Sequence, residues 1–542
     1  MKVLVLGGVA AGTKIAAKLM REDRSNEVTV LNKGKDISYA GCGLPYYVGH
    51  VIEDREQLIV NTPEKYSRLT GVKVLTETEA VKVDPEAKKV TAVDLRTQEE
   101  AVYDYDRLVI SVGASPVRPP IEGCDLENVF FVRTPEDAIR LREVADSGEV
   151  KRAVVVGAGY IGLEIAENLK LQGIRPFVLD MAPNALPGFD PEMASYVEGK
   201  LQESGIPVVT GVAVTGIEGD GKVEKVITDR KAYKADLVVL SAGIRPNTAF
   251  LEGSGIEMFK GTILTNEFGE TNIPDIYAAG DCAMVHNALT GKAAWSPMGS
   301  TANIDGRLIA QNMMGAKLGY RGTLGTAVCK LPGLNVGRTG LSEAQAMAEG
   351  FTPVSVITVV DDKAHYYPGA GSFVIKMIAD RESLRLLGVQ VIGAGAVDKV
   401  VDIAVTGIMM KATLPDLADM DLAYAPPFST AIHPFAHTLN VLMNKISGKF
   451  ETFTPAEYAA GAAKGYKVVD ACLVPSIEGA PYVDLTTVEG PVEGLDPEEK
   501  ILLVCNKGKR AYLLQNRMKF YGYKNTRVLE GGITFNDVEA EG

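Results

Sequence analysis

The feature that most limits how this chain can fold is an apolar strand running through a glycine turn into a helix, and it occurs twice. The stretch KVLVLGGVAAGTKIAAKL opens the chain, and RAVVVGAGYIGLEIAENLKLQG repeats the same order at residues 152–173. Apolar strands that alternate with helices are typical of parallel sheets covered on both faces. The two openings therefore predict two Rossmann-like dinucleotide-binding domains, the second inserted in the first.

The length of 542 residues exceeds what one hydrophobic core supports, so several domains are expected. Two segments, YDRLVISVGASP and ADLVVLSAGIRPN, each end a strand in a small-residue turn, as expected where the chain crosses between domains. Further on, strands mix with helices, and GKFETFTPAEYAAG is typical of a linker. The predicted domains are a discontinuous dinucleotide-binding domain over 1–120 and 245–324, a second over 121–244, an α+β domain over 325–447, and a small α/β domain over 455–542.

Composition narrows the class of protein. The net charge of −13 argues against nonspecific nucleic-acid binding. No apolar run reaches the length of about 18 residues that a membrane helix needs, so no membrane association is expected. The six cysteines form no C-x-x-C pair and there are only five histidines, so we expect no metal site. Scattered thiols and an N-terminus unlike a signal segment favour the cytoplasm.

The second glycine turn has the complete G-x-G-x-x-G spacing, formed by Gly157, Gly159 and Gly162. In such a turn the first glycine bends the chain, the second admits a pyrophosphate to the backbone, and the third lets helix and strand pack. Asp180 ends the next strand, where a carboxylate can bind a ribose 2′-hydroxyl. No arginine follows to bind a 2′-phosphate, so NADH is favoured and NADPH stays open. Gly243 is expected to line the same site.

The first glycine turn is less regular. Gly7 and Gly12 match the spacing, but Val9 holds the middle position and Asn32 stands where an acid is usual. Taken alone, this fits a nucleotide site and an ordinary βα turn equally well. The later segment TNIPDIYAAGDCA supplies a carboxylate that could help to hold a ribityl-pyrophosphate. The residues expected at this first site are Gly7, Gly8, Ala11, Gly12, Asn32, Lys33, Gly113, Gly280 and Asp281.

Two nucleotide folds followed by this aspartate resemble the two-dinucleotide flavoprotein disulfide reductases. The resemblance covers roughly residues 1–445 and implies FAD in the first domain, NADH in the second and a dimerisation domain after them. Asn32 departs from the carboxylate of this family, so weaker or differently arranged contacts to the adenosine ribose are expected.

A single cysteine lies in SYAGCGLPYY. Many reductases of this family carry C-x4-C, but the position five after Cys42 is Tyr47, so that dithiol cannot form. The pattern resembles the single-cysteine branch, which includes coenzyme A-disulfide and persulfide reductases, NADH oxidases and NADH peroxidases. The oxidases and peroxidases carry a histidine where this chain has Ala10. The resemblance implies that Cys42 is the nucleophile beside the flavin and that Ser38 assists it; a buried structural cysteine is the alternative.

The same resemblance implies coenzyme A as substrate or bound ligand and a homodimer. Lys18 and Arg21 share a helix face and match basic positions for coenzyme A phosphates, although a solvated helix face also explains them. Further substrate-binding candidates are Asn61, Thr62, Asn303 and Arg307. Tyr367 and Tyr424 match two tyrosines that reach the partner subunit's cysteine and can protonate a leaving sulfur; the alternative is interface or core aromatics. His433 and His437 are interpreted as interfacial.

A second cysteine motif, C-x-x-G-x-R, begins at Cys505 between a strand and a helix. Backbone amides in such a loop can hold an anionic sulfur, and the loop bases favour the thiolate. The loop consists of Asn506, Lys507, Gly508, Lys509 and Arg510, and it resembles the rhodanese sulfurtransferases. The resemblance implies that residues 455–542 are a rhodanese-like domain. Its usual Asp-Val-Arg stretch reads Asp470-Ala471-Cys472, so an inactive domain stays open, as does Cys472 as a resolving thiol.

The whole pattern resembles coenzyme A-disulfide reductases fused to a rhodanese domain. It predicts an FAD-dependent NADH reductase of coenzyme A persulfide, polysulfide or coenzyme A disulfide, with Cys42 as redox thiol and Cys505 transferring sulfane sulfur. An NADH oxidase or peroxidase that uses a Cys42 sulfenate is one alternative. A flavin redox sensor or thiol-binding protein with an inactive rhodanese module is another.

Overall fold

A computed structural model describes residues 1–540. The chain divides into two compact units, one of residues 1–185 and 205–323, the other of residues 186–204 and the chain from Leu324 onward. No helix in the described part of the chain is long and apolar enough to cross a membrane.

The first unit contains 22 of the strands, most of them short. They are β1 Lys2–Leu6, β2 Glu27–Leu31, β3 Lys73–Leu75, β4 Thr78–Asp84, β5 Lys89–Asp94, β6 Glu100–Asp104, β7 Arg107–Ile110, β8 Ala114–Pro116, β9 Val129–Phe130, β10 Arg152–Val156, β11 Arg175–Leu179, β12 Val208–Val209, β13 Val214–Glu218, β14 Lys225–Thr228, β15 Ala232–Lys234, β16 Leu237–Leu240, β17 Ile244–Pro246, β18 Met258–Phe259, β19 Thr262–Ile263, β20 Ile276–Ala278, β21 Val285–His286 and β22 Ala293–Ala294.

The second unit contains the other strands. They are β23 Ala327–Leu331, β24 Leu334–Gly340, β25 Pro353–Asp361, β26 Ser372–Asp380, β27 Leu386–Gly393, β28 Thr452–Phe453, β29 Lys467–Asp470, β30 Ile501–Val504 and β31 Thr526–Leu529. The α-helices of the whole chain are α1 Ala11–Glu22, α2 Leu44–Val48, α3 Pro63–Thr70, α4 Pro135–Asp146, α5 Tyr160–Leu171, α6 Pro191–Glu203, α7 Gly299–Met313, α8 Glu343–Ala348, α9 Val397–Met409, α10 Leu414–Ala418, α11 Pro434–Ile446, α12 Pro455–Ala459, α13 Lys509–Phe520 and α14 Gly532–Phe535.

The first unit is built on two five-stranded parallel sheets, each with the same succession of central strand, glycine turn and helix. One has the order β20-β7-β1-β2-β3 and the other the order β12-β11-β10-β16-β9. Their central strands, β1 and β10, are almost wholly buried, which explains why both sequences are continuous apolar runs. Each central strand leads directly into a helix, α1 or α5, as the sequence predicts.

The two predicted crossover segments pair with each other. Strands β8 and β17 form a two-stranded antiparallel ribbon in which Arg245 lies opposite Ser115. Gly113 and Gly243 stand where the chain leaves β7 and β16, both with positive φ (68° and 100°), which glycine adopts at no steric cost. The chain thus passes between the two sheets through one ribbon.

The second unit contains the α+β part and the small last domain. Its five-stranded antiparallel sheet has the order β23-β24-β27-β26-β25, and β27 is buried along its whole length. A separate sheet of order β28-β31-β30-β29 is parallel. The sheets follow the predicted order of domains along the chain, whereas the exact domain boundaries stay predictions.

Residues 186–204, which the sequence places inside 121–244, group instead with the second unit. The physical reason is a buried charge cluster around Lys376 of β26, whose side chain is 2% exposed. Its ammonium lies 3.2 Å from Asp190, 2.5 Å from Glu192 and 2.8 Å from Glu343. The Gln390 amide also donates to Asp190 at 2.6 Å. These contacts tie α6 to the antiparallel sheet.

We predict that Lys376→Met destabilises the second unit by about 3 kcal/mol, because it leaves buried carboxylates without their cation. The thermal midpoint should fall accordingly, and the deficit should shrink as the pH is lowered, since the abandoned carboxylates then take up protons. Circular dichroism melts of the full chain measure this. The matched control is Lys200→Met, which removes a partly exposed pair with Glu203 and should change stability by less than about 1 kcal/mol. Equal effects of the two variants would contradict the account.

Candidate active site

The second glycine turn has the geometry of a nucleotide site. Gly157 has a φ of 116°, and a Cβ there would collide with the carbonyl of Ser241. A Cβ at Gly162 would collide with the carbonyl of Gly157, so packing requires both glycines. At Gly159, by contrast, a Cβ would meet no protein atom within 4 Å. Internal packing therefore does not explain Gly159, whereas close approach of a pyrophosphate does.

Asp180 is held at the end of β11 by the turn itself. Its two carboxylate oxygens accept backbone N–H groups of Ala158 at 2.6 Å and Ala182 at 2.8 Å. The carboxylate is only partly buried. It is thus fixed beside the turn, as binding of a ribose hydroxyl requires.

The first glycine turn repeats this construction with a different partner. Gly7 has a φ of 97° and packs on the carbonyl of Ser111, while a Cβ at Gly12 would collide with the carbonyl of Gly7. Asn32 Oδ1 accepts the N–H of Gly8 at 2.9 Å, as Asp180 does in the second turn. The Asn32 Nδ2 group also donates to the carbonyls of Gly34 and Asp36 at 2.8 and 3.0 Å. A carboxylate could not make these donations, which is a physical reason for an amide here.

The other residues predicted for the first site converge on this turn. A Cβ at Gly280 would lie 3.3 Å from Ala11 Cβ, so the segment after β20 passes against the start of α1. Asp281 lies close by and accepts a hydrogen bond from Arg133 at 2.8 Å. Lys33 is exposed and pairs with Glu79 at 2.7 Å. The glycine turn, the N-terminus of α1 and the Asp281 segment fit an FAD in the first domain, and which residues contact it stays a prediction.

Cys42 lies in a short 3-10 turn, Gly41–Gly43, directly before α2. The residue is exposed, and its thiol is free. Ser38 is tied to the glycine turn, because its N–H donates to the carbonyl of Gly8 at 2.9 Å. Its φ of 48° is left-handed, an uncommon conformation for serine. The segment that carries the thiol is thus hydrogen-bonded to the first glycine turn.

Three charged residues act on Cys42: Asp281, which the sequence predicts for the first site, and Glu164 and Arg133, which it does not. Desolvation by the surrounding protein raises the pKa of the Cys42 thiol, the carboxylates of Glu164 and Asp281 raise it further, and the guanidinium of Arg133 opposes them. Glu164 also accepts a hydrogen bond from Tyr46 at 2.9 Å. Tyr46 and Glu164 are separated by 118 positions, so no local pattern could have revealed the contact.

Four of the six predicted coenzyme A residues lie on two helices that pack together, α1 and α7. Lys18 forms an ion pair with Glu22, and Arg21 is exposed. Both Asn303 and Arg307 are exposed on α7. Thr62 caps α3 by accepting the N–H of Lys65 at 3.2 Å, which gives it a structural role, and Asn61 precedes it. Their binding of coenzyme A stays a prediction.

The structure pairs Tyr424 with Tyr366, a residue that the sequence interpretation passed over. A hydrogen bond between the two hydroxyl groups raises the pKa of Tyr424, and both side chains are exposed. Tyr367 is also exposed, and its backbone carbonyl accepts the N–H of Ala370. The adjacent tyrosines in HYYPGA explain why the sequence alone could not choose between them. His433 is buried and caps α11 through Nδ1, and burial lowers its pKa to about 4.

Cys505 lies at the carboxyl end of β30 and under the N-terminus of α13. Its Sγ accepts backbone N–H groups of Gly508 at 3.2 Å and Ala511 at 3.4 Å. Gly508 has a φ of 95°, a left-handed conformation that turns the loop back over the sulfur. Asn506 is exposed at the outside of the loop. The predicted anion-binding arrangement around this sulfur is therefore present.

The loop cations are placed differently from the expectation. Arg510 is directed into the domain, donating to the carbonyl of Ala471 at 3.1 Å and to Asp484 at 3.1 Å. The ammonium of Lys507 lies 2.6 Å from Asp361. Lys509 is exposed. Two of the three cations are thus paired with carboxylates, which weakens the positive field that the sequence predicts at the sulfur.

Cys472 lies near Cys505, because Asp470 of β29 pairs with Val504 of β30. Burial, a hydrogen bond to Asp470 and the neighbouring Cys505 raise the pKa of Cys472 to about 12. A thiol held in this way is a poor nucleophile, so its environment argues against a resolving role.

Comparison with known proteins agrees with this geometry. Residues 1–299 match the pyridine nucleotide-disulphide oxidoreductase family, residues 326–436 its dimerisation domain, and residues 451–534 the rhodanese-like domain. The NADH oxidase of Methanocaldococcus jannaschii is 36% identical over 450 residues, which is 83% of this chain and 100% of the relative. The NAD(P)H coenzyme A polysulfide/persulfide reductase of Pyrococcus horikoshii is 35% identical over 443 residues, 81% of this chain and 98% of the relative.

A solved structure matches the chain over almost its whole length, including the last domain. The NAD-dependent persulfide reductase from A. fulgidus superposes with a TM-score of 0.94 and 35% identity, covering 99% of this chain and 100% of that one. The fold class and the family resemblance inferred from the sequence are confirmed. The chain belongs to the pyridine nucleotide-disulphide oxidoreductase family and carries, after its dimerisation domain, a rhodanese-like domain.

Proposed function

We propose that this protein is an FAD-dependent NADH reductase that acts on coenzyme A persulfide, polysulfide or coenzyme A disulfide. The observation that carries the proposal is the exposed, free thiol of Cys42, in a segment that is hydrogen-bonded to the first glycine turn. A tyrosine, Tyr47, stands where a second cysteine would complete a dithiol. A lone thiol there has no second cysteine in its motif, so a disulfide at Cys42 takes its other sulfur from a substrate. The amide-cradled Cys505 in the same chain is the second sulfur centre.

The chain's own residues account for the sulfur chemistry. The Cys42 thiolate attacks one sulfur of coenzyme A disulfide, forms a mixed disulfide with one coenzyme A and releases the other as a thiolate. With a persulfide, the released group is hydrosulfide. Reduction of the mixed disulfide then restores the Cys42 thiolate and frees the bound coenzyme A. FAD, when bound, would accept a hydride from NADH and supply the two electrons that reduce the mixed disulfide.

The groups around Cys42 act on the pKa of its thiol in opposite directions. Desolvation raises the pKa of its thiol, and the carboxylates of Glu164 and Asp281 raise it further, which disfavours the thiolate. Arg133 is the nearby cation that favours the thiolate, and its pairing with Asp281 holds it in place. Lys18 and Arg21 are proposed to bind coenzyme A phosphates.

Cys505 is proposed to exchange sulfane sulfur with coenzyme A or another thiol. The N–H groups of Gly508 and Ala511 are placed to stabilise a thiolate or persulfide anion.

We further propose a homodimer, supported by the match to a dimerisation domain, with the tyrosines around Tyr424 reaching the partner subunit. A cytoplasmic location without nucleic-acid or membrane partners also stays part of the proposal.

An NADH oxidase is the second candidate function, because the Methanocaldococcus jannaschii relative bears that name. That relative matches only 83% of this chain, whereas the persulfide reductase structure covers 99%. Ala10 also stands where the oxidases and peroxidases carry a histidine. A flavin redox sensor with little turnover is the alternative outside enzymes.

The deciding experiment measures anaerobic NADH oxidation by FAD-loaded protein with coenzyme A persulfide and coenzyme A disulfide offered separately. We predict turnover that Cys42→Ser lowers at least a thousandfold. Cys505→Ser should leave disulfide reduction unchanged and slow only sulfur transfer from a donor such as thiosulfate. Consumption of oxygen or peroxide that exceeds both sulfur substrates would establish the oxidase instead, and slow NADH oxidation with every acceptor would favour the sensor.

The open space at Gly159 gives a second prediction. Gly159→Val should raise the KM for NADH at least tenfold while leaving the FAD content and the thermal midpoint unchanged, because its side chain fills space that no protein atom occupies. Gly162→Ala is the matched comparison and should lower the thermal midpoint, since its Cβ collides with the carbonyl of Gly157. Unchanged NADH kinetics in Gly159→Val would place the dinucleotide elsewhere.

A further inference from the structure

One strand of the antiparallel sheet, β25, contacts the last domain at two points. The first is Glu530, just after β31, whose side chain is fully buried. Its carboxylate accepts the N–H of Ile357 in β25 at 2.8 Å, and it lies 2.6 Å from the ammonium of Lys445 and from the hydroxyl of Thr452. A buried carboxylate that is satisfied by three donors makes this a defined attachment.

The residues that follow Glu530 donate hydrogen bonds to the backbone of the Cys505 loop. The N–H of Ile533 donates to the carbonyl of Cys505 at 3.1 Å, and the N–H of Thr534 donates to that of Asn506 at 3.1 Å. A Cβ at Gly532 would collide with the Cys505 carbonyl, so only glycine allows this approach. Hydrogen bonds therefore connect the Cys505 loop to the segment that Glu530 attaches to β25.

The second point is Asp361, the last residue of β25. The ammonium of Lys507, two residues after Cys505, lies 2.6 Å from Asp361 Oδ1 and 2.8 Å from the hydroxyl of Ser372. Asp361 and Ser372 are the opposed pair that closes the β25–β26 hairpin. Strand β25 thus contacts the loop directly, through Asp361 and Lys507, and indirectly, through Ile357 and Glu530.

The titratable and charged groups around the Cys505 loop come from several elements. Its own loop supplies Lys507, Lys509 and Arg510, of which Arg510 is paired with Asp484. The end of β29 contributes Asp470 and Cys472. Helix α11 contributes His437, whose pKa is lowered by burial and by Lys509 and raised by Asp361. Strand β25 contributes Asp361, the carboxylate that pairs with the loop cation Lys507.

We infer that the sulfurtransferase site is composite: the dimerisation domain, through Asp361 and the Ile357–Glu530 contact, fixes the Cys505 loop, and Asp361 offsets the charge of Lys507. The inference rests on the proposed function of Cys505 and deepens it. Asp361 and Lys507 are positioning residues, since neither is shown to contact the sulfur. The consequence is that the rhodanese-like sequence alone does not determine the reactivity of Cys505.

The test compares single variants whose electrostatic effects have opposite signs. Asp361→Asn leaves Lys507 unpaired and should move the pH midpoint of Cys505 alkylation downward by about 0.5 pH unit. Lys507→Met leaves Asp361 unpaired and should move it upward by about the same amount. The double variant should return close to the wild-type midpoint, and Lys507→Arg should preserve it. Lys524→Met, which breaks an exposed pair with Glu498 in the same domain, is the control.

Alkylation by iodoacetamide is followed on the full FAD-loaded chain by mass spectrometry of the Cys505 peptide. Thiolate absorbance, taken as the difference from Cys505→Ser, gives the same midpoint independently of reagent access. Opposite shifts support the inference. Shifts in the same direction show that the variants only loosen the loop, and any other pattern, including no shift, also overturns it. Neither readout requires turnover, so failure of the proposed function is detected separately by the NADH assay.

Discussion

The steric demand of two glycine turns is the constraint on which the rest of the first unit depends. Gly12 and Gly162 each place a helix start against the carbonyl of the first glycine of the turn, where any Cβ would collide. This close approach directs the amides at the helix N-terminus toward the carboxyl ends of the parallel strands. Two nucleotide sites follow from one repeated backbone arrangement.

The position of Cys42 depends on the same arrangement. Because Ser38 is hydrogen-bonded to the carbonyl of Gly8, the segment that carries Cys42 is positioned by the first turn. Helix α2, which follows Cys42, packs on α4 and α5, and Glu164 of α5 both binds Tyr46 and acts on the thiol. The helix that starts at the second nucleotide turn therefore contributes directly to the electrostatics of the cysteine.

Much of the fold could be predicted from the sequence because its signals are local. Strand, glycine turn and helix lie within about twenty residues of each other in both halves, and the C-x-x-G-x-R loop is contiguous. The contacts that the sequence could not show join distant positions. Lys376 draws α6 into the second unit, Arg133 and Glu164 flank Cys42, and Asp361 pairs with Lys507 across 146 positions. The sequence shows the cations of the loop but not that Lys507 pairs with Asp361 and Arg510 with Asp484, because tertiary structure sets the partner of a charged side chain.

The central claim is that Cys42 forms a covalent bond to the substrate's sulfur. The most direct measurement exposes the oxidised, FAD-loaded protein to coenzyme A disulfide without NADH and maps any adduct by peptide mass spectrometry. The account predicts coenzyme A attached to the Cys42 peptide through a bond that NADH then cleaves. An adduct confined to another cysteine, or a Cys42 peptide that carries only oxygen, would contradict it.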